Sequence, residues 1–444
     1  MRQLPLWQVP SVPIQAPPSH IFALADGNNF YVECERAFDL TIRKRPVIVL
    51  GNGDGCVVAT SREAKSFGVK RGMPHFLCRP LIERYNIAVY SSNYPLYQEM
   101  SDRVMSLLAH YTPRLEVFSI DEAYLDFSHL SKEQLISSGQ HVCREIYQRT
   151  GISLSLGIAP SKVLAKLGSE VVKRQRLQTG VFSFVGLSAE QIDEILSQIL
   201  VEDLLGIGDK LAVQLNREGI ITARRLKYAD HAWLRHRFGV GVQRVALELR
   251  GICCMPLHTT PKPRKALTVS LAFGRPIEHL EELLEAISHY SGQVGVKLRQ
   301  HHQQTTCLEV FIRTNPFDKR TAQYARSAQM TFALPTSYTP DLIRAAKALV
   351  TQIYRPGYLY KKAGVLVSAL QPEEVIQPDL FGAFSWEHEV RQAAQMALLD
   401  EINRRYGRDT LFFAAQGTQR SWQQRARRRS PRYTTNWQEV LTVT

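Results

Sequence analysis

The stretch Phe22-Ala23-Leu24-Ala25-Asp26-Gly27-Asn28-Asn29-Phe30-Tyr31 decides how this chain is read, together with Phe118-Ser119-Ile120-Asp121-Glu122-Ala123-Tyr124. Both set carboxylates in apolar, strand-like sequence, where burying an acid is costly unless positive charge meets it. His20 to Ala25 reads as a buried strand running into Asp26. Successive side chains of a flat strand point to opposite faces, so Asp121 and Glu122 converge only at a tight turn. A hairpin is therefore expected, with residues 116–120 and 123–127 as its arms. A pair of divalent cations would supply the missing charge, and a two-metal site organises in-line attack at phosphorus. The bland alternative is a structural ion-pair cluster or a set of solvated turn acids. Three acids at strand ends in a basic chain are what favour chemistry.

Around these acids the pattern alternates between strand and helix. Pro46 to Leu50 and Cys56 to Ala59 flank the glycine-rich turn Gly51-Asn52-Gly53-Asp54-Gly55, a hairpin signature. Leu96, Met100, Val104, Leu107 and Tyr111 recur at helical spacing. Ile152 to Ile158 is a strand entering a helix at Pro160-Ser161, residues suited to a helix start. This is an α/β sheet with helices between its strands. Later segments, a strand over 267–273, a helix over 278–299, a strand over 306–313, a helix over 341–354 and a strand over 362–370, indicate a separate α+β domain.

The 444 residues are too many for one ordinary core, so several domains are expected. A formal net charge of +14 favours a polyanionic partner. That partner reads as nucleic acid rather than membrane, since no apolar run is long enough to span a bilayer and no lipidation motif is present. The N-terminus lacks a secretory pattern, which leads to the expectation of a cytoplasmic protein. Seven cysteines without a CxxC spacing indicate neither a disulfide framework nor a zinc knuckle.

Other features read two ways. Ser61-Arg62-Glu63-Ala64-Lys65 is an ordinary solvated helix face or a pair of cations beside a phosphate. Lys162 falls in the first turn of a helix, where the dipole disfavours a cation unless an anion joins it; a triphosphate would fit. Gly206-Ile207-Gly208 is a plain turn between helices or a helix-hairpin-helix whose backbone amides approach a phosphate. The run Arg425, Arg427, Arg428, Arg429, Arg432 is a solvated tail or a polyanion-binding segment.

Taken in order, Asp26 to Tyr31 with Glu33-Cys34-Glu35, Asn52 to Cys56, Ser91-Ser92-Asn93-Tyr94, Ser119 to Ala123, Gly157-Ile158-Ala159 with Lys162 and Ala165-Lys166-Leu167, and Gly206-Ile207-Gly208 resemble the Y-family translesion DNA polymerases. Thr410 to Gly417 and Ser430 to Thr435 point to the UmuC type, the catalytic subunits of DNA polymerase V. The resemblance implies a multidomain right-hand fold: a proline-rich leader (1–20), palm (21–31 and 90–190), small fingers (32–89), helix-hairpin-helix thumb (191–254), basic linker (255–265), α+β little finger (266–370) and a C-terminal region (371–444). It implies error-prone, template-directed DNA synthesis past damage in the SOS response. Asp26, Asp121 and Glu122, with the Gly27 carbonyl, would hold two Mg2+ ions. Tyr31 matches the steric gate against a ribose 2′-hydroxyl. Lys65 and Lys162 match triphosphate contacts, while Arg62 stands where many relatives have tyrosine. Gly206 and Gly208 would approach DNA. Gln377, Leu380 and Phe381 resemble a sliding-clamp-binding peptide, with Pro378 in place of leucine. Implied partners are primer–template DNA, dNTP, a processed UmuD-type dimer, a RecA filament and the clamp, in a bacterial cytoplasm beside the nucleoid. The competing readings are another palm enzyme, such as a nucleotide cyclase, and a catalytically silent DNA-binding repair or scaffold protein.

Overall fold

Alternation along one six-residue strand organises the first part of the molecule. In β1 (Phe22–Gly27), Ala23 and Ala25 enter one core while Phe22 and Leu24 enter another. The computed structural model describes residues 20–260, 263–373, 386–424, 426–434 and 436–440. These divide into two units, one holding the chain through Val49, Val57–Pro261 and the end from Arg429, the other Leu50–Cys56 and Lys262–Arg428.

In the first unit β1 is followed by α1 (Phe30–Phe38), β2 (Val47–Leu50), β3 (Val57–Thr60), α2 (Arg62–Ser66), α3 (His75–Arg84), β4 (Ala88–Ser91) and α4 (Tyr94–Leu108). Then come β5 (Leu115–Val117), β6 (Glu122–Asp126), α5 (Lys132–Thr150), β7 (Leu154–Ala159), α6 (Lys162–Gln175) and β8 (Val181–Ser183). A five-stranded sheet runs β5-β6-β1-β7-β8, and β3-β2-β4 form a smaller sheet. β1 is antiparallel to both neighbours, with Asp26 opposite Glu122 on one side and Ser155 on the other. The expected hairpin is present, although its turn holds Asp121 while Glu122 already belongs to β6.

Two cores sandwich this sheet. Ala23, Ala25, Ala123 and Leu125 pack with Val104 of α4 and with Val142 and Ile146 of α5. On the opposite face Phe22, Leu24 and Tyr124 pack with Val163, Leu164 and Leu167 of α6. That core continues into α8 (Asp209–Arg217), α9 (Ala223–Tyr228), α10 (His231–Phe238) and α11 (Val240–Glu248), which follow α7 (Ala189–Ser197). Helix α6 starts where the sequence indicates, with the Ser161 hydroxyl accepting from the Leu164 amide. It lies unusually close to the sheet. A Cβ on Gly157 would stand 2.1 Å from the Ala165 carbonyl oxygen, and one on Gly168 would stand 2.9 Å from the Gly157 Cα. Only a glycine pair permits that approach.

The second unit contains β9 (Ala266–Ile277), α12 (Leu280–Gln300), β10 (Gln303–Thr314), β11 (Ala325–Thr336), α13 (Thr339–Ile353), β12 (Tyr360–Pro372) and α14 (Trp386–Tyr406). Its antiparallel sheet is ordered β11-β10-β12-β9. Strand β11 and helix α14 are additions to the sequence reading. β11 is an edge strand whose alternating Ala328, Met330 and Phe332 pack partly buried on the core, and α14 buries Met396 alone and shows no strong apolar period.

Candidate active site

The three carboxylates come together because the register of β1 and β6 places Asp26 beside Glu122, and the turn before β6 carries Asp121. Gly27 donates its amide to the Asp121 carbonyl at 2.8 Å. A Cβ on Gly27 would stand 3.1 Å from the Phe30 ring and 3.5 Å from the Asp121 Cβ, so this position favours the smallest residue. Asn29, in a left-handed conformation at φ 46°, then turns the chain into α1, a geometry asparagine tolerates better than most residues.

Positive charge reaches the acids from α6. Lys166 donates from Nζ to Asp26 Oδ2 at 2.8 Å and to Glu122 Oε1 at 2.6 Å. Lys173 lies 2.7 Å from Asp26 Oδ1 and 3.4 Å from Glu170. These lysines, two turns apart at i and i+7, share one face of α6. Burial opposes the charge on Lys166, but Asp26 and Glu122 outweigh it and hold its pKa above the ordinary lysine value. Burial pushes the Glu122 carboxyl upward; Asp26 and Asp121 add to the shift and Lys166 opposes it. Asp121 accepts from the Ser119 hydroxyl at 2.6 Å and has no ion pair among the described residues.

Lys162 lies in the first turn of α6. Its ammonium is 2.6 Å from Glu116 Oε2 and lies over the Tyr124 ring, and Glu116 also accepts from the His258 amide at 2.6 Å. A partly buried carboxylate thus sits beside this first-turn lysine. Lys166 and Lys173 are the cations the sequence reading did not name at the acids. Their signal was the face shared by Lys166, Glu170 and Lys173. Arg62 and Lys65 lie on α2, exposed, with no ion pair among the described residues.

Tyr31, half-buried on α1, stacks face to face on Tyr97 of α4, with centroids 4.5 Å apart and planes 14° from parallel. Tyr94 meets Tyr31 edge-on at 6.0 Å. Burial raises the Tyr31 hydroxyl, with Tyr94 and Asp121 contributing. Gly206, at φ 89°, and Gly208 flank the buried Ile207 just before α8; a Cβ on Gly208 would meet nothing within 4 Å, so the backbone there is open. Gln377, Leu380 and Phe381 lie outside the described residues.

As they stand, no three His, Cys, Asp or Glu side chains among the described residues form a ready metal site. The Lys166 ammonium bridges Asp26 and Glu122. The donor chemistry nevertheless suits a hard divalent ion: carboxylate oxygens, crowded enough to raise Glu122 and incompletely neutralised by two lysines.

The fold has the mixed helix-and-sheet architecture of a polymerase, and the comparisons supply the family. Residues 25–170 match the impB/mucB/samB family, and residues 264–380 match that family's C-terminal domain. Residues 394–443 match a domain of unknown function, DUF4113. The chain is 36% identical over 425 residues to Protein UmuC of Salmonella typhimurium, covering 95% of this chain and 100% of that protein. It is 27% identical over 354 residues to DNA polymerase IV of Staphylococcus saprophyticus, covering 78% and 94%. Its fold resembles a solved Y-family DNA polymerase chimera with a TM-score of 0.62 at 20% identity, covering 79% of this chain and 98% of that one. The chain belongs to the impB/mucB/samB family and is a UmuC-type Y-family DNA polymerase.

Proposed function

We propose that this chain extends a DNA primer across damaged template positions, joining a dNTP to the primer 3′-hydroxyl with release of pyrophosphate, as part of the damage response. The observation that carries this is the convergence of Asp26, Asp121 and Glu122 at adjoining strand ends of a UmuC-type chain. A scaffold protein would not need these acids beside two basic side chains on one helix face.

Asp26, Asp121, Glu122 and the Gly27 carbonyl would hold two Mg2+ ions, which when bound polarise the attacking hydroxyl and neutralise charge on the departing pyrophosphate. The chain's own residues do the rest. Lys173 and Lys166 balance charge at the acids and are placed to meet a triphosphate, with Lys65 and Arg62 as further exposed cations. Tyr31 would exclude a 2′-hydroxyl by its ring, and Gly206 and Gly208 would let backbone amides approach a DNA phosphate. Residues 21–31 and 90–190 serve as palm, 32–89 as fingers, 191–254 as thumb and 266–370 as little finger. No helix among the described residues is long and apolar enough to cross a membrane. Work beside the bacterial chromosome, with a UmuD-type dimer, a RecA filament and a sliding clamp through Leu380 and Phe381, completes the reading.

Extension of a primer opposite an abasic site, with magnesium and the four dNTPs, is the test. Template-dependent extension is expected. Tight primer–template binding with no extension, in the presence of the activating partners, would favour the scaffold reading instead.

A further inference from the structure

Residues 429–433 fold back onto α1, which carries Tyr31, and onto the start of α4. Asn93, fully buried just before α4, donates from Nδ2 to the Ser430 hydroxyl at 2.9 Å, to the Ser430 carbonyl at 3.2 Å and to the Pro431 carbonyl at 3.3 Å. Ser91, at the end of β4, bridges Arg429. Tyr433 stacks on Phe38, the last residue of α1, with centroids 5.0 Å apart and planes 4° from parallel. The carboxyl of Glu35, buried on α1 one turn beyond Tyr31, has Ser430 among the groups that draw its pKa down. Glu35 accepts from the Tyr97 hydroxyl at 2.6 Å, and the Tyr97 ring is the surface on which Tyr31 stacks.

Contacts therefore run from Ser430 to Tyr31 by way of Asn93, whose carbonyl accepts from the Tyr97 amide at 3.0 Å, with Glu35 bonded to the Tyr97 hydroxyl alongside. We propose that the segment Arg429–Tyr433, inside the region matching a domain of unknown function, is a positioning element for the sugar-selecting tyrosine, with Ser430 as its central contact. The proposal rests on the reading of Tyr31 as the barrier to a 2′-hydroxyl.

The physical reason is the cost of the buried acid. Burial pushes the Glu35 carboxyl up to about 7, and the hydrogen bonds from Tyr97 and Ser430 oppose that shift. Removing the Ser430 hydroxyl leaves part of a buried carboxyl unsatisfied, and Glu35 must then reorient within its socket. Tyr97 follows, because its hydroxyl is buried with Glu35 as partner, and the face on which Tyr31 stacks shifts with it. The set spans α1, α4 and the chain end, so a loss at Ser430 is felt at a side chain it does not touch. Packed aromatic groups with discrete arrangements transmit such shifts rather than absorb them.

The test measures kcat/KM for a ribonucleotide and for the matching deoxyribonucleotide, in the full chain with its activating partners. Four proteins are compared: wild type, Ser430→Ala, Tyr31→Ala and the double variant. Expected is a rise of about fivefold in the ribo-to-deoxyribo ratio for Ser430→Ala, a larger rise for Tyr31→Ala and no further rise in the double variant, since interacting positions are non-additive. Tyr433→Leu, which loosens the same segment from a partly exposed position, should move the ratio in the same direction if Ser430→Ala folds poorly. A lowered melting temperature with an unchanged ratio in both segment variants would mean that the segment is only an anchor and would overturn the proposal. Equal rises with and without Tyr31 would overturn the relay while sparing the sugar-gate reading. An unchanged ratio for Tyr31→Ala would overturn that reading and the proposal with it.

Discussion

The carboxylate cluster and the aromatic socket are neighbours in the same unit, yet they are assembled by opposite means. At the cluster, Asp26, Glu122, Lys166 and Lys173 come from two paired strands and the helix following a third, pressed together by the Gly157–Gly168 contact. At the socket, Tyr31 and Tyr97 are supported through a buried acid by Ser430, 337 positions from Asn93. The first place is fixed by strand pairing, by the seating of α6 on the sheet and by charge. The second depends on a distant end of the chain finding its seat. Chemistry should therefore respond steeply to changes at the cluster, and substrate choice should respond to changes at the socket while the chemistry survives.

The largest effect expected is at the cluster. Asp121→Ala or Glu122→Ala should lower single-turnover nucleotide addition by more than about a hundredfold, because stabilisation at the reacting phosphorus is lost. Primer–template affinity, which comes mostly from distributed phosphate contacts, should change little in a titration. Comparable losses of binding and turnover would show that these acids hold the fold rather than the reaction.

Gly157→Ala tests the packing beneath that cluster. The added methyl meets helix backbone, which cannot rotate away as a side chain could, so a loss of about 3 kcal/mol or more is expected in denaturant unfolding. An unchanged midpoint would mean that α6 can slide off the sheet at little cost, contrary to the close approach of Gly157 to Gly168.

At the socket, Glu35→Gln isolates the acid that links the two helices to the chain end. The folded carboxyl titrates at about 7, above the ordinary value of 4.5, so the native state holds a proton that the unfolded state has already released. Wild-type stability should therefore fall relative to Glu35→Gln as pH rises from about 4.5 to about 7, by on the order of 3 kcal/mol, and the difference should then level off. Parallel stability curves for the two proteins across that range would remove Glu35 from this role.

The smallest effect separates lysines that look alike in sequence. Lys173→Ala should raise the dNTP KM about tenfold, equivalent to about 1.4 kcal/mol. Lys162→Ala should leave KM within about twofold and lower the melting temperature instead, since it leaves the partly buried Glu116 carboxylate without its cation. The reverse pattern would restore Lys162 as the phosphate contact and leave Lys173 as a structural cation.

Much of the cluster is legible in the sequence. Acids in apolar strand sequence, the impossibility of placing Asp121 and Glu122 on one flat face, and the Pro160-Ser161 helix start are short-range facts, and short-range sterics determine them. The choice among lysines was not legible. Lys162, Lys166 and Lys173 all lie on α6, and which acid each meets depends on how far the helix sits from the sheet, a distance set by Gly157 and Gly168 in contact. Helix α14 buries too little of its surface to impose an apolar period, whereas the alternation of Ala328, Met330 and Phe332 in β11 was legible in the sequence and marks a strand.

By itself the sequence determined the strand and turn that hold the acids, the basic character of the chain and the family blocks, because these depend on neighbouring residues or on composition. Only the tertiary structure decided which cations face the acids and what lies behind Tyr31. Those pairings depend on separations between elements rather than on spacing along the chain, and a contact between Asn93 and Ser430 leaves no periodic trace in either segment.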